Sequence, residues 1–169
     1  MRDWFHNANE IIRESLHLPD MRILGVDYGT KRIGLAVSDE DGIFAFPAGI
    51  ITSKGRKKDL AALRAFISER KVGSAVVGLP IHMDGRRGPE AEKAIAFARD
   101  LSHSAGIPVE TLDERWTSQE AERMMQGVSR SRRKDLRKSG AVDEAAASII
   151  LRTYLATRKS HSPETAGGE

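Results

Sequence analysis

The sequence contains no cysteine. This excludes disulfides and any thiolate-held metal, and it fits a reducing cytoplasm. No apolar run approaches the roughly 20 residues that a bilayer-spanning helix needs, so no membrane partner is expected. The first twenty residues, MRDWFHNANEIIRESLHLPD, lack the apolar centre and small-residue cleavage site of a signal peptide. None of the five histidines shows metal-ligand spacing, and there is no internal repeat. What is present is an ordinary globular balance, 40% hydrophobic and 30% charged, in 169 residues. That length suits one domain with a real core. A net charge of +3 and a pI near 9.3 lean basic, which alone is a weak pointer to nucleic acid. The distribution says more. Residues 130–138, RSRRKDLRK, carry six bases and one acid. Arg130, Arg132, Arg133 and Lys134 are therefore candidate phosphate contacts, against the plainer reading of a solvated face.

Residues 1–20 read as an extension, with Trp4, Phe5, Ile11, Ile12, Leu16 and Leu18 on one helical stripe ended by Pro19 and Asp20. The core domain is expected over 21–157, and the tail 158–169 has a disordered composition. Strands are predicted at 22–28, 32–38 and 43–51, joined by tight turns into an antiparallel meander. A helix follows over 57–70, then a wholly apolar strand at 74–79, as a central parallel strand should be. The spacing next predicts a helix over 89–105, with Pro89 in its first turn and Gly106 as its stop. A fifth strand is predicted at 107–113, a helix at 117–126 and a last helix at 141–157. The fold class is α/β: a ribonuclease H-like arrangement, a central mixed five-stranded sheet flanked by helices.

Three groups of acids stand out. Asp27 ends the first strand among Ile23 and Gly25, where an ionised carboxylate is costly unless paired or holding a metal. The fifth strand ends in LDERWTS, where Asp113 and Glu114 point to opposite faces and one can face Asp27. In VDEAAASIILRTYL, Asp143 heads an apolar stripe through Ala146, Ala147, Ile150 and Tyr154. Glu144 heads a neighbouring stripe, and periodicity does not separate the two. Each acid has a structural alternative as a turn former or helix-end charge. Together, two strand ends and one helix start can converge at one sheet edge. Three carboxylates there would repel one another unless divalent cations neutralise them. Mg²⁺ prefers oxygen ligands, and two ions about 3.5–4 Å apart can promote phosphodiester cleavage.

GVDYGTKRIGLAVSD, VVGLPIHMDGRRGP, LDERWTS and VDEAAASIIL, in this order, resemble the YqgF family. These are bacterial ribonuclease H-like proteins described as candidate Holliday junction resolvases and candidate pre-16S ribosomal RNA nucleases. The resemblance covers residues 21–157; the extension before Met21 is not typical of the family. It implies phosphodiester hydrolysis with Mg²⁺ or Mn²⁺, and it assigns Asp27, Glu114 and Asp143 as both the catalytic and the metal-holding acids. It also places the VVGLPIHMDG loop near the site. Chemistry makes Lys31, Arg32, Arg86, Arg87 and Arg115 further candidates for phosphate contacts. Gly29 and Gly34 are expected to let backbone and substrate come close. The expected partner is nucleic acid, either precursor ribosomal RNA or branched DNA, with the ribosome as a partner that the RNA reading allows. Monomer and homodimer both stay open.

Two other readings compete. DYGTKRIG also resembles the phosphate-binding hairpin of actin-like ATPases and sugar kinases, which share the ribonuclease H-like core. That reading calls for two such domains, and no second glycine-rich hairpin is present. A nucleic-acid-binding module without catalysis would use the basic stretch alone and leave the carboxylates structural.

Overall fold

Alternation along residues 22–28 sends Leu24 and Val26 to one face of a strand and Ile23, Gly25 and Asp27 to the other. Both faces are covered, so β1 (Arg22–Tyr28) is apolar nearly throughout. The computed structural model describes residues 21–116 and 140–159. In it β1 pairs antiparallel with β2 (Arg32–Ser38), and β2 pairs antiparallel with β3 (Ala45–Thr52). On its other side β1 pairs in parallel with β4 (Val72–Leu79), which pairs in parallel with β5 (Val109–Asp113). The sheet order is β3-β2-β1-β4-β5, the predicted meander extended by two parallel strands.

Helices α1 (Arg56–Glu69) and α2 (Pro89–Ala105) cover one face. There Leu24, Val26, Leu35 and Val77 pack with Leu63, Phe97 and Leu101. Helix α3 (Ala141–Lys159) covers the other face, where Ile23, Ala36 and Val76 meet Ala147, Ile150, Leu151 and Tyr154. Gly25 permits this approach, because a Cβ there would stand 2.7 Å from the Leu151 Cβ. Tyr28 turns to the α2 side and stacks on Phe97 at 4.1 Å between ring centroids, anchoring the end of β1.

Some element ends differ from expectation. β3 begins at Ala45 and not at residue 43, because the amides of Ile43 and Phe44 donate to the Asp39 carboxylate instead of joining the ladder. β5 begins at Val109; the Ile107 carbonyl is taken by the Ser102 hydroxyl. β4 begins two residues earlier, at Val72, where an irregular pair with Arg22 extends the ladder. α3 runs to Lys159, beyond the predicted end at 157. The expected helices over 1–20 and 117–126, the basic stretch 130–138 and the tail beyond 159 lie outside the described residues. Among the described residues, no helix is long and apolar enough to cross a membrane.

Candidate active site

The parallel strands β1, β4 and β5 end together at one edge of the sheet. Ligand sites of open α/β sheets form beyond such carboxyl ends. Asp27 lies there on the α3 face, and a glycine stands beside it on each neighbouring strand. Gly34 pairs with Asp27 across the antiparallel ladder. Gly78 follows the Val26–Val77 pair and flanks Asp27 on β4. A Cβ on Gly34 would strike the main chain of Asp143 at the start of α3. A Cβ on Gly78 would strike the Glu114 carboxylate and stand 2.6 Å from Ile150 Cδ1. The absence of two side chains thus brings one further acid to each side of Asp27.

This arrangement separates the residue pairs that strand and helix periodicity leave open. Glu114 lies over Gly78, whereas Asp113 is engaged by its neighbour. The Arg115 guanidinium donates to Asp113 at 2.6 Å through Nη2, and the Arg115 backbone N–H donates at 3.0 Å. These bonds hold the Asp113 carboxyl below the usual range. Asp143 is brought to Gly34, whereas the Glu144 carboxylate lies toward Gly49 of β3.

The electrostatics register the convergence. Burial, and secondarily Asp143, pushes the Asp27 carboxyl up to about 6. Burial, then Asp27 and Asp113, pushes Glu114 up to about 7. Both are acids whose charged form is short of solvation and close to like charge. Asp143 Oδ2 is buried and has no hydrogen-bond partner among the described residues, although Arg32 Nε stands 3.3 Å away. Carboxylates in this setting are stabilised in their charged form by a nearby cation. No group of three or more His, Asp or Glu side chains among the described residues forms a ready metal cage. The donors suit a hydrated hard cation held by one or two carboxylates, which is how Mg²⁺ commonly binds.

The basic candidates divide. Arg32 is turned to Asp143, Arg86 pairs with Asp84 at 2.6 Å, and Arg115 is committed to Asp113. Each has an acidic neighbour within the same edge or loop, so none stands as an isolated phosphate ligand. Lys31 and Arg87 are exposed and make no ion pair with any described residue. Arg130, Arg132, Arg133 and Lys134 lie outside the described residues. Gly34 serves the approach of the α3 backbone. Gly29 closes the turn, its N–H donating to the Arg32 carbonyl. Sequence reasoning missed Gly78, although a glycine inside the apolar run SAVVGL signals close approach by another group.

Comparison with known proteins agrees with this architecture. The family described as RuvX: Holliday junction resolvase matches residues 21–157. A protein of Anaeromyxobacter sp. (strain Fw109-5), named as a candidate pre-16S rRNA nuclease, is 44% identical over 135 residues, spanning 80% of this chain and 96% of that one. A protein of the same name from Halothermothrix orenii is 42% identical over 135 residues, 80% of this chain and 94% of its own. Among solved structures, Thermus thermophilus RuvC in complex with a Holliday junction substrate superposes with a TM-score of 0.53 at 12% identity. That match covers 84% of this chain and 98% of RuvC, a likeness of fold.

Proposed function

The chain belongs to the RuvX family, and from that premise we propose a divalent-cation-dependent nuclease that processes the 5′ end of precursor 16S ribosomal RNA. The observation that carries the reaction type is the meeting of Glu114 and Asp143 at Asp27, made possible by Gly78 and Gly34. An acidic cleft repels a phosphodiester unless cations intervene, so this edge suits a metal-assisted hydrolase better than a simple binding surface. The support for ribosomal RNA as substrate is the shared name of relatives over 40% identical across most of the chain.

In this reading Mg²⁺ or Mn²⁺ would be held by carboxylates drawn from Asp27, Glu114 and Asp143, one or two to an ion. A cation bound there supplies Lewis-acid activation of water and charge stabilisation at the leaving oxygen. Arg32, 3.3 Å from Asp143 Oδ2, offsets part of the negative charge there. Lys31 and Arg87 contact phosphates flanking the cut. Arg115 occupies the Asp113 carboxylate, so that Glu114, in the turn just after β5, is the acid that joins Asp27. The setting is cytoplasmic, where precursor ribosomal RNA and the ribosome are found.

A second reading, resolution of four-way DNA junctions, is favoured by the description of the family itself. It calls for a dimer, because two strands must be cut symmetrically. The discriminating experiment offers the full chain precursor 16S RNA, single-stranded RNA and a four-way DNA junction, each with Mg²⁺, Mn²⁺ or chelator. Metal-dependent cutting confined to the RNA precursor supports processing. Symmetric cutting of the junction alone would replace it with resolution, and tight metal-independent binding without product would leave a binding module.

A further inference from the structure

The sheet edge that holds the acids also receives the starts of the helices. β3 ends at Thr52, paired with Arg32 at the start of β2, and α1 follows from there; α2 follows the end of β4. The first turn of a helix is the positive end of its dipole, so acids suit it and bases oppose it. α2 conforms, with Glu90 and Glu92 in its first turn. α1 does the opposite. It opens on Arg56, Lys57 and Lys58, and Lys54 precedes them. The acid of that turn, Asp59, is buried, and its carboxylate accepts from the Ser53 hydroxyl and the Lys54 N–H. Arg56 turns inward as well: its guanidinium lies 5.7 Å from the Tyr28 ring centre and 3.6 Å from the Asp100 carboxylate. The side chains of Lys54, Lys57 and Lys58 do neither. They are exposed and make no ion pair with any described residue.

Lys31 joins them. The Ser53 N–H donates to the Lys31 carbonyl at 3.0 Å, which ties the turn after β1 to the segment that carries Lys54. Lys31 is exposed and stands four residues after Asp27, and its neighbour Arg32 reaches Asp143. The four lysines therefore lead from the rim of the acid cluster, across the turn, to the outer side of α1. They come from three segments, so the surface is not the property of one helix end. Like charges gathered without a counter-charge repel one another in the folded chain. A polyanion with evenly spaced charges relieves that repulsion. From Ser53 to Lys58 is at most about 17 Å of chain, the rise of about five phosphates along a nucleic acid strand.

We propose that Lys31, Lys54, Lys57 and Lys58 form a binding strip for the phosphate backbone of the strand that passes the acids, and that this strand runs over the start of α1 and not over the acidic start of α2. The inference rests on the nuclease reading and deepens it by fixing the side of the site on which bound nucleic acid lies. Ammonium groups meet phosphates as point charges and read no bases, so the strip acts alike on RNA and DNA of any sequence.

The test uses the full chain carrying Asp27→Asn, with Ca²⁺ present, so that binding is read without cutting. Probes are single-stranded RNA and DNA about 20 nucleotides long, enough to span the strip. One variant adds Lys54→Gln, Lys57→Gln and Lys58→Gln. A second adds Arg64→Gln, Arg70→Gln and Lys71→Gln, toward and past the far end of α1, and so has the same net charge. Three lost phosphate contacts should make the salt dependence on a single strand shallower by about 2 in slope, so the parent's advantage over the first variant should shrink roughly twentyfold between about 50 and 200 mM salt. The second variant should keep most of the parent's slope. Lys57→Arg with Lys58→Arg, which keeps the charge, should keep all of it. Thermal melts check that every variant folds. Equal slopes in all the proteins, or an equal loss in both glutamine variants, would refute the strip, while cleavage by the unmodified chain would leave the nuclease reading standing. If the unmodified chain neither binds nor cuts any nucleic acid, the nuclease reading falls and the strip falls with it.

Discussion

Replacing Asp27 by Asn should make the metal-free protein more stable while removing its activity. Asp27 is held at about 6, against an ordinary value of 3.8, by burial and by Asp143. A carboxyl raised by that much costs the folded state on the order of 3 kcal/mol once ionised. Asparagine avoids the charge but must still place an amide there, so a net gain of about 2 kcal/mol is the reasonable expectation. For a chain of this size that is a rise in Tm of roughly 4–8 °C. The pH dependence is specific. The folded-state value lies above the unfolded one, so the folded chain binds the extra proton between pH 4 and 6. The wild type therefore loses stability across that window as pH rises, and the loss is complete above about pH 7. The difference between variant and wild type should be small at pH 4, near half its full size at pH 5, and largest at pH 8, where Glu114 has also ionised. Thermal melts in chelator at four pH values measure it. A variant no more stable than wild type at pH 8, or a difference indifferent to pH, would refute the electrostatic reasoning. Adding Mg²⁺ should raise the wild-type Tm and leave the variant's unchanged, because only a native-state binder stabilises.

Other consequences follow from neighbouring contacts. Gly34→Ala sets a Cβ against main chain at the start of α3, whereas Gly78→Ala sets one chiefly against a movable carboxylate and the tip of Ile150. In urea unfolding Gly34→Ala should cost more than about 3 kcal/mol and Gly78→Ala about 1–2, yet both should lower cleavage; equal costs would contradict the geometry. Asp59, buried at the start of α1, accepts from the Ser53 hydroxyl at 2.6 Å and the Lys54 N–H at 2.8 Å. Asp59→Ala should lose about 2 kcal/mol of stability in the same assay, with cleavage per folded molecule unchanged; a loss of specific activity would show that the contact reaches the site through Ser53, whose N–H donates to the Lys31 carbonyl. Arg115→Ala frees Asp113 from the bonds that hold its carboxyl low. Titration of the Asp113 side chain by NMR should then show its value rising, and an unmoved value would deny Arg115 its role.

The meander, the crossover to parallel strands and the face on which Asp27 lies are legible in the sequence because period-two alternation and apolar runs record burial directly. SAVVGL reads as a central strand because helices cover both its sides, and PEAEKAIAFARDLSHSAG reads as a helix because Pro89 and Gly106 mark its ends. Choosing between Asp113 and Glu114 is harder, since alternation says only that they diverge. The choice rests on Arg115, two residues on, and on Gly78, a strand away. Such cross-strand dependence is invisible to local pattern. For the same reason Arg32 and Arg86 read as candidate phosphate contacts in sequence, and only the fold shows that each stands beside an acid, Asp143 and Asp84. Composition counts charges without showing which are already paired. Ile43 and Phe44 extend the apolar pattern of β3 on paper, yet the Asp39 side chain takes their amides first.

The most direct test of the central claim is single-turnover cleavage of precursor 16S RNA in Mn²⁺ at pH 8 by the wild type and by the Asp27→Asn protein, both shown folded by their melts. The account predicts product from the wild type, none when chelator replaces Mn²⁺, and a loss of at least a hundredfold in the variant. Equal cleavage by the two proteins would contradict it, and would remove Asp27 from the mechanism.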